Sequence, residues 1–159
     1  MIISFTVRGI AQPGGSKRAF PRKGGGVIVV DANPKVKPWR EVVAYEARVA
    51  MGNRLPITGP VKLAVAVILP RPKTHFDRWG TIKPLAPWYH TKRPDATKML
   101  RAIEDAMTRI VWHDDAQVAI QEVMKFYCAI GQEPCVSVRV SELANSIIPA
   151  AEDPSRLSR

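Results

Sequence analysis

The chemistry-bearing residues of this chain gather in one segment, residues 92–118, which reads KRPDATKMLRAIEDAMTRIVWHDDAQV. Asp95 stands at a loop-to-helix junction, and Asp114 and Asp115 follow the other end of the same helical pattern. Carboxylates are hard oxygen donors, and a magnesium ion that keeps several waters needs only two or three of them when a substrate phosphate completes its shell. If the chain reverses after Arg109 and the next strand returns beside the helix, Asp95 is expected to meet the Asp114 and Asp115 pair as metal ligands. Lys98 and Arg101, one turn along, would face the same place and suit a scissile phosphate or the charge that builds on it. These residues also have plainer uses. An aspartate after Pro94 can cap a helix, an Asp-Asp pair can serve a turn, and Arg101 with Asp105 has the i, i+4 spacing of a surface ion pair. Asp105 is too far along a continuous helix from Asp95, about 15 Å, to share an ion with it.

The positioning elements follow from periodicity. Residues 95–109 form a helix with Met99, Ile103, Ala106, Met107 and Ile110 on one side and Asp95, Lys98, Arg101 and Asp105 on the other. An earlier helix begins near Trp39, with Val42, Val43, Ala47 and Ala50 at helical spacing, and stops at Gly52 and Asn53. Strands are predicted over residues 2–7, 27–30 and 61–69, the last so uniformly aliphatic (VKLAVAVIL) that burial on both faces is expected. Residues 118–129 and 135–140 are predicted to pair as a hairpin across Gly131 and Pro134, with Val136, Val138 and Val140 turned to the core. Glycines at 14, 15 and 24–26 make residues 9–26 a mobile cationic loop, and residues 70–94, rich in proline, a long functional loop. The order is that of an α+β domain, two helices on a mixed sheet of about five strands, spanning residues 1–142, with a tail over 143–159.

Charge narrows the partner. The chain has 24 lysines and arginines against 14 acids, a formal charge of +10 and a pI near 10.1, so a polyanion is its natural counterpart. The cations cluster. Eight fall between Arg8 and Arg40, among them Lys17, Arg18, Arg22 and Lys23, and eight more between Arg71 and Arg101, among them Lys92 and Arg93. Clustered in glycine- and proline-rich loops, these are candidate phosphate contacts. No apolar run approaches a membrane span and no secretory leader is recognisable at the first residues, so a soluble cytoplasmic protein is expected. Cys128 and Cys135 are too few for a disulfide framework and have no companions for a zinc site; they are expected to be strand residues in a reducing compartment, a cross-strand bridge being the alternative.

The run Arg93-Pro94-Asp95, a helix carrying Arg101 and Glu104-Asp105-Ala106, and then Asp114-Asp115-Ala116-Gln117-Val118 resembles the signature of the RusA family of Holliday-junction resolvases, approximately K-P-D-x-D-N-x-x-K, D-A-L and D-D-x-Q-V. The opening strand, the Ser16-Lys17-Arg18 loop and the Trp39-Arg40 helix start are similar too, and the likeness spans residues 1–141. It implies a homodimeric, magnesium-dependent nuclease, manganese being a possible substitute, that cuts four-way junctions and is often carried by phages and prophages. It also implies that Asp95 and Asp115 match metal-binding catalytic aspartates and that Arg101 stands in place of a catalytic lysine. Thr97 and Lys98 depart from the pattern, where the family has Asp and Asn. The ion would therefore lose one carboxylate, with Asp114 as the compensating acid, and an arginine that keeps its proton favours phosphate clamping over acid catalysis. A catalytically weak protein that binds branched DNA is the alternative.

Overall fold

The computed structural model describes residues 1–144. Strand β1 (Ile2–Arg8) is followed by a two-stranded ribbon, β2 (Lys17–Pro21) and β3 (Val27–Asp31), and then by helix α1 (Val36–Met51). Strand β4 (Val61–Leu69), helix α2 (Ala96–Met107), strand β5 (Val118–Tyr127) and strand β6 (Cys135–Glu142) complete the domain. The main sheet has the order β1-β6-β4-β5, antiparallel except for the parallel pair β4 and β5. The fold is α+β and the sheet is mixed.

Local chemistry explains the elements. Pro38 lies in the first turn of α1, where no helical N–H is lost. Val36, Trp39, Val43, Ala47 and Met51 then form one buried stripe. Gly52 ends the helix at φ +55°, its N–H returning to the carbonyl of Arg48 at 2.9 Å. In α2 the buried residues are Met99, Leu100, Ala102, Ile103, Ala106 and Met107, and the helix stops where Thr108 turns extended and Arg109 takes φ +66°. Both helices lie on one face of the sheet, α1 toward β1 and α2 toward β5, against Ile3, Val7, Leu63, Val65, Val67, Val136, Val138 and Val140. Truncating a fully buried member such as Leu63 to alanine would cost about 2–5 kcal/mol.

Four sequence expectations change. The main sheet has four strands rather than about five, because Val27–Asp31 pairs with Lys17–Pro21 in a separate ribbon instead of joining it. Strands β5 and β6 are not a hairpin, since β4 lies between them. β5 begins at the far end of α2 and so runs parallel to β4, as a helical crossover requires. β4 is not buried on both faces. Val61, Leu63, Val65, Val67 and Leu69 are buried under the helices while the residues between them are half-exposed on the open face. Residues 9–26 are not a free loop: Gly14 donates its N–H to the carbonyl of Lys98 at 2.8 Å and Ala32 to that of Ser16 at 2.8 Å. A Cβ at Gly14 would come within 3.1 Å of Ala102 and of Arg40, so glycine is needed there for the backbone to lie against α2. Of the expected tail, Leu143 hydrogen-bonds the carbonyl of Pro60 at 2.8 Å, and residues 145–159 lie outside the described residues. Cys128 and Cys135 are both free. No helix among the described residues is long and apolar enough to cross a membrane.

Candidate active site

The two ends of α2 carry the candidate carboxylates. At the first end Asp95 is the N-cap residue in extended conformation, held from behind by Lys125, whose Nζ donates to the carbonyls of Lys92 and Pro94 at 2.7 and 2.6 Å. Its side chain makes no capping hydrogen bond and is 62% exposed, with the ammonium of Lys98 at 3.9 Å. Arg93, Pro94, Asp95 and Lys98 form one wall of an open groove whose other wall is residues 10–13, Ser16, Ala32 and Asn33. Arg101 lies farther along the helix, its side chain covering the backbone of Gly15.

At the other end Asp114 and Asp115 are built into a short 3-10 turn, Asp115–Gln117. The carboxylate of Asp114 accepts from the N–H of Ala116 at 2.8 Å, a capping role. Gln117 accepts from the N–H groups of His113 and Asp114 at 2.8 and 3.0 Å and donates to the carbonyls of Ile57 and Gly59 at 2.8 and 3.0 Å, which ties the turn to the start of β4. Asp115 Oδ1 accepts from the indole N–H of the fully buried Trp112 at 3.1 Å and from the hydroxyl of Thr108. Beside it stands Glu104, whose carboxyl is pushed above its ordinary range by burial and by the charges of Asp115 and Asp105, against a hydrogen bond from Gln121 at 2.7 Å.

One chain therefore keeps the two ends apart. Thr108, which holds Asp115, follows a 12-residue helix that starts beside Asp95, a length of about 18 Å. The expected convergence of Asp95 with Asp114 and Asp115 is not made, because the reversal after α2 carries the acidic pair to the bottom of β5. Among the described residues no three acidic, histidine or cysteine side chains come close enough to hold one ion. The donor set that fits a divalent ion in part is Asp115 with Glu104, two neighbouring carboxylates that a cation would relieve.

The ion pair expected between Arg101 and Asp105 is also replaced. Asp105 binds Arg40 of α1 at 2.5 Å, and Arg40 reaches Asp31 at 3.7 Å, so the guanidinium fastens both helices to the ribbon. Lys17 bonds Asp31 at 2.6 Å, and that bond, with the neighbouring cations, holds the Asp31 carboxyl below its usual range. Arg18 is on the exposed strand β2, and Arg22 and Lys23 lie exposed at the ribbon's turn. Lys92 and Arg93 are exposed beside the groove. Sequence reasoning missed Glu104, Lys125 and the bracing role of Gln117. Only Gln117 had a signal, its place three residues after Asp114 as in a capping box.

The family profile described as Endodeoxyribonuclease RusA matches residues 11–141, which include both ends of α2, the ribbon and three of the four main-sheet strands. The chain belongs to the RusA family. A relative from Bacillus subtilis (strain 168), described as uncharacterized protein YqaN, is 29% identical over 150 residues, covering 89% of this chain and 97% of the relative. RusA is a family of endodeoxyribonucleases. In this RusA-family chain the signature residues serve two structural tasks as well: Asp95 caps α2, and the Asp-Asp-Ala-Gln turn joins the end of that helix to β4 and β5.

Proposed function

We propose that this protein is a structure-selective endonuclease that resolves Holliday junctions or other branched DNA by magnesium-dependent hydrolysis of phosphodiester bonds, manganese being an acceptable substitute. The observation that carries the reading is the RusA match, which spans both candidate aspartates. A net charge of +10 and the exposed cations of the ribbon and of the groove support a phosphate-tracking surface. In this reading Asp115, with Glu104 beside it, and Asp95 are the groups whose charge holds the metal, while Asp114 acts mainly as a cap. Lys98 and Arg101 bind phosphate, and Lys17, Arg18, Arg22, Lys23, Lys92 and Arg93 hold the arms of the DNA. Because one chain separates the two ends, DNA phosphate or a second copy must complete the ligand set. A metal titration without DNA is therefore expected to give weak binding. Two symmetric cuts across a junction call for a homodimer, with β5, β6 and the exposed Val42, Tyr45 and Val49 of α1 as apolar surface. Light scattering should give about twice the 17.6 kDa chain mass.

The deciding experiment incubates the pure protein with a synthetic four-way junction and with a linear duplex, each with and without magnesium. Paired cuts confined to the junction and to magnesium are expected. Thr97 and Lys98 at the family's Asp and Asn positions favour a second reading, a branched-DNA-binding protein with little catalysis. Junction-selective binding without cutting at any divalent ion would establish that reading and overturn the first; equal binding to both DNAs without cutting would overturn both.

A further inference from the structure

The connection between β4 and α2 contains a small ordered hairpin that none of the foregoing uses. After a helical turn, Lys73–His75, Phe76 bridges Ile82 in antiparallel fashion. Between them the N–H of Asp77 donates to the carbonyl of Thr81 at 2.9 Å, and the Asp77 carboxylate accepts from the N–H groups of Trp79 and Thr81, both at 2.9 Å. Gly80 closes the tip at φ +82°. Lys83 fastens the base, its N–H to His75 and its ammonium to Thr74, both at 3.0 Å. What this framework displays is Trp79. The indole is 73% exposed, with the guanidinium of Arg78 at 4.0 Å from its ring centroid. Arg78 covers one face of the ring, and that degree of exposure leaves the opposite face open to a flat partner.

The hairpin is also tied to the candidate site. Arg71 at its root donates to the carbonyls of Cys128 and Pro87 at 2.7 and 2.8 Å. Beyond the hairpin the chain runs along the free edge of β5. Tyr127 donates to Trp88 at 2.9 Å, His90 donates to Lys125 at 3.0 Å, and Lys125 in turn holds the turn that leads to Asp95. Lys73, Arg78 and Lys83 surround the tip, and the one acid there, Asp77, has its carboxylate engaged by the hairpin's own backbone. An exposed indole on a braced cationic tip suits a planar group attached to an anionic backbone, since every base offers a π face and stacking is tolerant of sequence.

We propose that the hairpin of residues 76–82 is a nucleobase-stacking element: Trp79 stacks on a base left unpaired at a DNA branch, and Arg78 binds the adjoining phosphate. The inference rests on the reading of branched DNA as the ligand and adds how the branch is told from ordinary duplex. Its test measures fluorescence anisotropy, without divalent ions, on a forked duplex with single-stranded arms and on a fully paired duplex of the same length. Trp79→Ala should weaken fork binding about tenfold or more, with paired-duplex binding changed less than about twofold because phosphate contacts there come from elsewhere. Trp79→Phe should retain most of the fork affinity, and Arg78→Ala should weaken it while flattening its salt dependence. An unchanged melting temperature for Trp79→Ala is expected of a side chain this exposed. Unchanged fork binding, or equal loss on both DNAs, overturns the inference and leaves the functional reading standing. Failure of the wild-type protein to bind either DNA overturns both. Trp79-dependent sedimentation with anionic phosphatidylglycerol vesicles, without an effect on the fork, would replace the base with a membrane surface.

Discussion

The two ends of α2 present the same residue type in opposite settings. Asp95 sits on an open groove with a free carboxylate and a lysine nearby, whereas Asp115 has one oxygen held by a buried indole and a hydroxyl, in a turn that Gln117 clamps to another strand. The contrast shows where precision is provided. The Asp115 end is preorganised by the core, so an ion or phosphate meeting it finds a set geometry, while the Asp95 end has a fixed backbone and a side chain free to adjust to what arrives.

The largest expected effect breaks the pair functionally. Asp115→Asn and Asp95→Asn should each lower cutting of a four-way junction about 100-fold or more, with junction binding unchanged or tighter, because a ligand charge is lost and repulsion of phosphate falls. Retention of more than about a tenth of wild-type cutting by either variant removes that residue from the site. Their stabilities should differ: Asp115→Asn loses a charged acceptor for Trp112 and Thr108, about 1–2 kcal/mol in a urea melt, while Asp95→Asn should stay within about 0.5 kcal/mol of wild type.

Gln117→Ala probes the clamp. It strips partners from two carbonyls and two N–H groups, and should cost about 1–3 kcal/mol with a fall in cutting at constant DNA affinity. Gln117→Glu keeps the acceptor and loses the donor, so it should lie between. Equal cutting by all three proteins would show that the geometry at Asp115 does not depend on the clamp.

Asp105→Asn should act on stability alone, through the lost pair with Arg40. That pair is partly exposed, with side chains 24% and 35% accessible, so about 1 kcal/mol or less is expected. Arg40→Ala should destabilise by more than Asp105→Asn, because it releases Asp31 as well. The reverse order, measured in the same urea melts, would place the important partner of Asp105 elsewhere.

The smallest effect concerns Glu104. A carboxyl whose folded pKa is raised stabilises the fold fully below its unfolded pKa and loses that contribution as pH rises through the folded pKa. Melting temperature should therefore fall through that window by more in the wild type than in Glu104→Gln, by under about 4 °C. If added magnesium abolishes the difference, the ion sits on the Asp115 end. A flat wild-type profile would mean that Asp115 and Glu104 do not sense each other's charge.

Much of the fold was legible because amphipathic periodicity is a local property. The apolar side of α2 at Met99, Ile103, Ala106 and Met107 follows from spacing alone, as do the inward valines 136, 138 and 140. The cation clusters and the Asp-Asp-Ala-Gln turn were likewise visible, because charge and motif spacing need no partner to be read. Tertiary structure decided who meets whom. Strand patterns at 118–127 and 135–142 do not say that β4 will come between them, and the helical crossover enforces that order. Asp105 had Arg101 at helical spacing yet chose Arg40, 65 residues away, and Gln117 found Ile57 and Gly59 across a comparable distance. The separation of Asp95 from Asp115 has the same origin. Sequence placed them at the two ends of one helix, and the direction in which the chain left that helix kept them there, because a rigid helix fixes the distance between its ends.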